Sequence, residues 1–378
     1  MATLQQLLAP QVILEAVTSR IKQPGDVLQR FFGMGLGGGP AVLDNNAMRY
    51  AAYDIFDHIQ DVGTFRAPGT GPSTVAKNPI AQVPVTIPRI HIKMPLYYEE
   101  LGNLRPLGKT SGNIDQGGKD YISRQESILK MYHQNAREFM VAGMLRGNLY
   151  YQLSGDDWNP SFTSSGALIN IDFQIPAGNK TQLNMLGAGN ILTIGWQNTA
   201  SATIFEDLLA INSAFYQLHG WPLKHILVSS VVWGYITNNA GIKARSGTAN
   251  VVFEEFKRVA GYDDPDFAKD EFTGRLRCLP DFVFHIYDGG AKLGGTFTKW
   301  LPDTQMFALP EPSPNLYQLL VGGEYVVEQD GMPASLKRGL NFWPRYIAEP
   351  SRIEINGLDN VIPLIRVPKT VVSATINF

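Results

Sequence analysis

The spacing of apolar and polar residues changes several times along the 378-residue chain, and each change marks an element. From Asp120, a good N-cap after Gly117-Gly118, to Arg146 there is no proline. Leu129, Tyr132, Ala136, Phe139, Met140 and Gly143 recur at helical spacing, while Lys130, Gln134, Arg137 and Glu138 fall mostly away from them. The pattern predicts a long amphipathic helix over 121–146, with those four polar residues turned outward and Gly147 ending it. At about 1.5 Å per residue it is a rod of roughly 39 Å, far longer than the usual helix of about 11–12 residues. Ahead of it lie short β-prone runs, Ala52 to Ile59, Val83 to Ile87 and Ile90 to Leu96. Pro68, Pro72, Pro79, Pro84, Pro88 and Pro95 are spread among them, so the local expectation is a two-stranded ribbon or long loop without its own core.

Beyond the helix the period returns to strands and turns: Leu149 to Leu153, Leu168 to Ile175 and Ile191 to Gln197. Thr203 and Glu206 have the spacing of a capping box, for a helix that Gly220 ends. A buried strand, His225 to Ser229, precedes a helix over Val231 to Asn238, and a further helix is expected over Val251 to Ala260, stopped by Gly261. Three strands follow, Phe282 to Tyr287, Thr296 to Trp300 and Met306 to Leu309, joined by Asp288-Gly289-Gly290, Gly294-Gly295 and Leu301-Pro302-Asp303. The tail from Ile353 is strand-rich and ends in the apolar run Thr370 to Phe378. At the other end, residues 1–45 read as an arm, with a short amphipathic helix over Leu4 to Ser19 interrupted by Pro10, then the glycine run Gly33 to Gly39.

Composition sharpens this picture. Hydrophobic residues make up 44% of the chain and charged residues only 17%, which leaves more apolar and neutral surface than a freely soluble monomer needs and fits either a large protein with a big core or extensive contact with copies of itself. A net charge of −2 and a pI near 6.3 do not favour tight nucleic-acid binding. Cys278 is the only cysteine, so no disulfide forms within the chain and no Cys zinc cluster exists; it reads as a small buried hydrophobe. The N-terminal stretch has neither the early basic region nor the apolar core of a signal peptide, and no apolar window is long enough for a membrane span.

Candidate chemistry is sparse. Gly33-Met34-Gly35-Leu36-Gly37-Gly38 matches the dinucleotide fingerprint literally, but no strand enters it and no convincing helix start leaves it, so it reads as a glycine hinge. The stretch from Gly102 to Gly108, Lys109 and Thr110 has five residues between its glycines where a P-loop needs four, and Pro106 removes one cradling amide. The histidines show no i, i+4 pairing and no HExxH; His219 is expected to end a helix, and His285 to be a packed or hydrogen-bonded core residue. Asp263, Asp264, Asp266 and Asp270 lack the pattern of a calcium loop, and Asp156-Asp157 reads as a turn. No catalytic, cofactor-binding or metal-ligating set emerges.

The sequence from Asp281 to Pro310 (buried strand, Tyr-x-Gly turn, strand, Leu-Pro-Asp, strand) resembles the late part of the lambda-type tailed-phage major capsid proteins, the capsid protein E family, with weaker support from Gln6-Leu7-Leu8-Ala9. The element order along nearly the whole chain is similar to the Hong Kong 97-type capsid fold. The resemblance implies an α+β chain with an N-terminal arm at 1–45 and an extended β ribbon, or E-loop, at 46–118. A P-domain at 119–200 would carry the spine helix 121–146, an α/β A-domain would span 201–340, and 341–378 would return as strands to the P-domain. It implies a structural, non-catalytic protein of the virion capsid of a tailed double-stranded DNA phage. That protein would assemble in the host cytoplasm into hexamers and pentamers of an icosahedral shell, enclosing the genome without sequence-specific binding. Scaffold, protease, portal and decoration proteins are the implied partners; no cofactor and no membrane are. In that setting Tyr97, Tyr98 and Leu101 would bury against a neighbouring copy, Glu99, Glu100 and Arg105 would set register, and Lys109 would be a surface or interface charge. Two other classes stay open at the level of sequence: an encapsulin-like shell, and an α/β enzyme with a site in 200–310.

Overall fold

The structure, a computed structural model, describes residues 26–36, 39–44, 50–55, 81–97, 116–154, 157–167, 169–246, 253–258, 271–327, 333–347 and 352–378. It is a mixed α+β chain of two compact units. One comprises 1–51, 85–141 and 318–363, the other 52–84, 142–317 and 364–378.

The first unit is organised by the long helix Gln116–Arg146, whose residues up to 141 belong to it, and by a five-stranded sheet. The central strand is Arg352–Ile365. It pairs antiparallel with Asn341–Ile347 on one side and with Arg89–Tyr97 on the other, the latter over nine positions from Arg352↔Tyr97 to Asn360↔Arg89. Val42–Asp44 adds a parallel pairing to Leu319–Val321. Period-two alternation gives the sheet an apolar face: Leu96, Phe342, Ile353 and Ile355 are buried with Leu129 of the helix, and Ile92 and Met94 pack against them. Pro95 sits within Arg89–Tyr97, opposite Glu354. Among the described residues that strand pairs only with the central one, and an edge tolerates proline's missing N–H.

In the second unit a seven-stranded sheet runs in the order Phe253–Arg258, Glu271–Leu276, Leu279–Tyr287, His225–Val228, Gln305–Leu309, Val372–Thr375, Lys180–Thr181. Ile226, Val228, Phe284, Ile286, Met306 and Ala308 join one core with Ile204, Leu208, Ile211 and Phe215 of the helix Ile204–His219, and with Val232, Ile236 and Ile242 from the helices Ser230–Asn238 and Ala240–Arg245. The helix ends follow local chemistry. Gly220 closes the first with φ 75°, Ser229 Oγ accepts from Val232 N, and Asn239 Oδ1 accepts from Ile242 N. A smaller sheet orders Asp157–Ser161, Asn148–Ser154 and Ile169–Asp172. The hairpin Gly290–Leu293 with Thr296–Lys299 turns at Gly294 and Gly295, both at positive φ, where glycine is the unstrained residue.

Several expectations change. The long helix begins at Gln116, so Asp120 lies inside it and is not its N-cap. Leu129, Phe139 and Met140 are buried as expected, but Tyr132 is exposed, and Lys130, Gln134, Arg137 and Glu138, expected to face outward, are buried as well. Periodicity ranks a residue by its own polarity and cannot see partners brought from more than a hundred residues away. Residues 253–258 form a strand, not a helix, because an antiparallel neighbour, Glu271–Leu276, overrides local helical spacing. Residues 191–197 form no strand, though Leu192 and Trp196 are core residues. The capping box does not form: Thr203 Oγ1 donates to Asp207 Oδ1, and Glu206 pairs with Arg245. Tyr50–Ile55 and Ala81–Thr86 make a two-stranded sheet, as the ribbon expectation held. Arg89–Tyr97 instead joins the five-stranded sheet, so part of 46–118 has a partner in its own chain.

Gly357, in the central strand, shows how closely the helix and sheet of the first unit approach. A Cβ there would lie 2.4 Å from His133 Nε2 and 2.9 Å from the Phe342 ring. Gly357→Ala is expected to cost about 1–3 kcal/mol in urea unfolding, and to cost clearly less in a His133→Ala background, where the nearest obstacle is gone.

Candidate functional site

The buried polar stripe of the long helix is where the first unit's interactions converge. Arg137 and Asp359 form a two-point ion pair, Nε to Oδ2 at 2.6 Å and Nη2 to Oδ1 at 2.9 Å, with side chains only 5% and 0% exposed. Arg137 Nη1 also donates to the carbonyl of Gly35 at 3.2 Å. One side chain thus joins the helix, the central strand and the segment after the short helix Val27–Phe31. The fork of the guanidinium matches the carboxylate, which makes such burial sustainable. The next residue along the helix, Glu138, is fully buried. Its Oε1 accepts from Leu28 N at 2.8 Å, and its Oε2 from Gln29 N at 3.2 Å and Gln29 Nε2 at 3.0 Å. Gln29 Nε2 also donates to Gln134 O. Asp26 makes no side-chain cap on the short helix, which is N-capped instead by this carboxylate from the long one. Burial pushes the Glu138 carboxyl up to about 8, against the pull of those three hydrogen bonds. His133 is buried against Phe342 with neither ring nitrogen hydrogen-bonded, and burial lowers its pKa to about 4.

In the second unit a different node holds the glycine-rich turn in place. Lys299 Nζ bridges Asp288 at 3.1 Å and Asp303 at 2.9 Å. Asp288 Oδ1 accepts from Ser230 N, placing negative charge at the start of the helix Ser230–Asn238. Burial pushes the Asp288 carboxyl up, but the bonds from Ser230 and Lys299 outweigh it and hold it below the usual range. Trp300 N donates to Gly289 O, and Trp300 itself is buried. Arg146 Nη2 donates to the carbonyls of Lys299 and Trp300, both at 2.9 Å, and its guanidinium lies 3.7 Å from the centre of the Phe162 ring. Asp288, Lys299 and Asp303 are therefore what the Tyr-x-Gly turn and the Leu-Pro-Asp segment have in common.

Of the contact candidates, Tyr97 ends the strand Arg89–Tyr97, 40% exposed, and pairs in register with Arg352. Tyr98, Glu99, Glu100, Leu101, Arg105 and Lys109 lie outside the described residues, as do the segment resembling a P-loop and Asp263, Asp264, Asp266 and Asp270. The glycine run follows a helix and leads to the strand Val42–Asp44, the opposite of a dinucleotide fold. His219 does end its helix, buried, with Nε2 at 3.1 Å from Lys369 O. His285 is hydrogen-bonded as expected, its Nε2 2.9 Å from His225 Nδ1. Cys278, expected to be buried, is only partly so and packs against the edge of the core. Among the described residues there is no group of three metal-ligating side chains and no helix long and apolar enough to cross a membrane. Sequence reasoning missed the stripe of Lys130, Gln134, Arg137 and Glu138; its one signal was four polar residues on a helix otherwise built for burial.

A family model described as phage major capsid protein E matches residues 11–376. Among solved structures, the fold is similar to that of the putative capsid protein of a prophage from E. coli CFT073, with a TM-score of 0.53 and 11% identity over the full length of both chains. It is also similar to the capsid of Ralstonia phage GP4 (TM-score 0.49, 11% identity, 96% and 93% covered) and to a phage-related protein from Bordetella bronchiseptica RB50 (TM-score 0.48, 11% identity, 99% and 98% covered). No curated protein matches the chain.

The buried imidazole gives a signed test. The pKa of His133 is lower when folded, about 4, than its ordinary 6.5. The unfolded chain therefore takes up more protons between those values, and stability is lost as pH falls through that window. His133→Leu should remove this loss, and at pH 7 it should leave unfolding free energy unchanged or raised by about 1–3 kcal/mol, since two unpartnered buried nitrogens disappear. Urea melts at pH 7, 6 and 5 measure both effects.

Proposed function

We propose a role for this chain from its family: it belongs to the phage major capsid protein E family, so it is a structural shell protein of a phage capsid, built into the virion in many copies. The observation that carries this is the match across 11–376, which includes both units. In our reading the copies form hexamers and pentamers of a closed icosahedral shell around double-stranded DNA, held without base recognition, after assembly in the host cytoplasm. A scaffold, a portal and decoration proteins would be its partners, and it would catalyse nothing. Residues 1–45 would serve as an arm, 46–118 as the E-loop, 119–200 and 341–378 as the P-domain and 201–340 as the A-domain.

Exposed aromatic groups support contact between copies. Tyr50 is 77% exposed in the ribbon strand Tyr50–Ile55, and Tyr97 is exposed at the end of its strand. A single such residue means little, but a shell subunit must present apolar side chains to many neighbours. Draped contacts between copies bury areas in the range of permanent assemblies, and many weak contacts in a closed lattice sum to a strong shell. Tyr97 with Tyr98 and Leu101 would form one such contact, Glu99, Glu100 and Arg105 would fix its register, and Lys109 would lie at its margin.

Expression of the chain should yield closed particles by negative-stain microscopy and elution near the void volume. Tyr50→Ser with Tyr97→Ser should shift material to small species while circular dichroism stays unchanged. A double variant that assembles like the parent would remove these tyrosines from the proposed contacts, and a folded parent that stays monomeric under all assembly conditions would overturn the shell reading. Nuclease-protected DNA in phage-derived particles would separate a virion from an encapsulin-like container.

A further inference from the structure

The five-stranded sheet of the first unit has two unlike faces. One is apolar and packs on Leu129 of the long helix. The other, by the same alternation, carries the odd-numbered residues of Arg89–Tyr97 and the even-numbered residues from Arg352 to Asn360. On the edge strand Arg89, His91, Lys93, Pro95 and Tyr97 are all exposed. Arg345 joins this face, opposite Glu354 in register. Arg89, Lys93, Arg345 and Arg352 therefore share a surface with one carboxylate, Glu354, and with a second, Glu324, at its margin. Glu354 is 4% exposed, and its Oε1 takes both Lys93, at 3.5 Å, and Arg352, at 2.9 Å. Glu324 takes Arg89 at 3.0 Å. Among the described residues this face is positive, in a chain whose net charge is −2. The side chains of Lys93 and Arg89 remain 63% and 38% exposed, so both still present their charge to solvent above the carboxylates they pair with. Burial, and then the neighbouring Arg89, hold the His91 imidazole below its usual range, so it adds no charge near neutral pH.

The form of this face indicates its partner. Trp343 lies on it, opposite Asn356, but is 1% exposed and stacked with His91, so it offers no aromatic anchor of the kind that dominates contacts between proteins. Arg89 and Lys93 stand four residues apart on one strand, about 13 Å. A nucleic-acid duplex presents one negative charge about every 1.7 Å along its axis, so a straight row of cations meets phosphates wherever it lands. Tyr97, proposed above as a contact between copies, ends the same strand about 13 Å beyond Lys93, so the two contacts do not compete for one spot. We infer that this face of the sheet, centred on Arg89, Lys93 and Arg352, is a docking surface for the phosphate backbone of duplex DNA. The inference rests on the shell reading, which supplies the DNA, and adds which surface of the subunit meets it. Contact through phosphates carries no sequence information and is weakened by salt, which suits a container that must hold any stretch of its contents loosely.

Fluorescence anisotropy of a labelled duplex of mixed sequence, titrated with the full-length chain before assembly, tests this. The variant is Arg89→Gln with Lys93→Gln, which leaves Arg352 on the buried Glu354 and should keep the parent's circular dichroism and urea melt. If Arg89, Lys93 and Arg352 each meet a phosphate, the parent should lose roughly 40-fold in affinity between 50 and 200 mM salt, and the variant only about threefold to fourfold. Lys243→Gln with Lys292→Gln, in the second unit, is the control for net charge and should keep the parent's salt dependence. Should the chain assemble at once, the duplex is added during assembly, and the nuclease-protected amount per particle should fall in the variant and not in the control. No binding by the parent, an unchanged salt dependence or protected amount in the variant, or an equal change in the control would overturn the inference. Equal competition by polyglutamate at the same charge concentration would overturn it in favour of an acidic protein surface. Particles that form normally from a parent that binds no duplex would sink this inference alone and leave the shell reading standing; a parent that binds duplex through these residues but never forms particles would do the reverse.

Discussion

The first unit depends on how charge is buried on the inner side of its long helix. An arginine or carboxylate withdrawn from water loses several kcal/mol of hydration, and only a close, well-shaped partner repays it. Arg137 and Asp359 meet that requirement with two short contacts, and the remaining arm of the guanidinium takes the carbonyl of Gly35. Once that pair is fixed, the register of the central strand against the helix is fixed as well. A one-residue slip would turn Asp359 to the opposite face of the sheet. Gly357, two positions earlier, then has to pass His133 without a side chain. Leu129, Ile353, Ile355 and Phe342 fill the space beside it with apolar contacts that are less particular about geometry.

The second unit solves the same problem with less burial. Its sheet and three helices share an apolar core, and the polar work falls to a partly exposed lysine between two aspartates and to Arg146 on two backbone carbonyls. Solvent screens the Lys299 bridges, so their value lies more in fixing the turn than in net stability. The His225–His285 contact and the Asp288 cap likewise position strands and a helix. These arrangements suit a structural subunit, whose requirement is a fixed shape repeated in many copies.

Much of this was legible in the sequence. Glycines at 147 and 220 mark the ends of two helices correctly, the strands near 225, 282, 296 and 306 lie where branched and aromatic runs place them, and the family resemblance rests on the turn residues Asp288, Gly289, Gly290 and Asp303. What was not legible depends on distant partners. Glu138 is separated from Leu28 by 110 residues and Arg137 from Asp359 by 222, so nothing local distinguishes them from solvated surface charges. Residues 253–258 have helical spacing and become a strand because a neighbouring strand supplies hydrogen bonds that a local pattern cannot express. Tyr132, an aromatic residue on the expected inner face, turns out exposed for the complementary reason: that side of the helix was assigned by hydrophobicity alone.

A double-mutant cycle on Arg137 and Asp359, read by urea unfolding, tests the central claim most directly. If the buried pair sets the register of the first unit, Arg137→Met and Asp359→Leu should each cost about 3–5 kcal/mol, because each strands a buried charge, while the double variant should cost far less than their sum. Two small, additive losses would mean that these side chains are solvated and that the first unit is held together by something else.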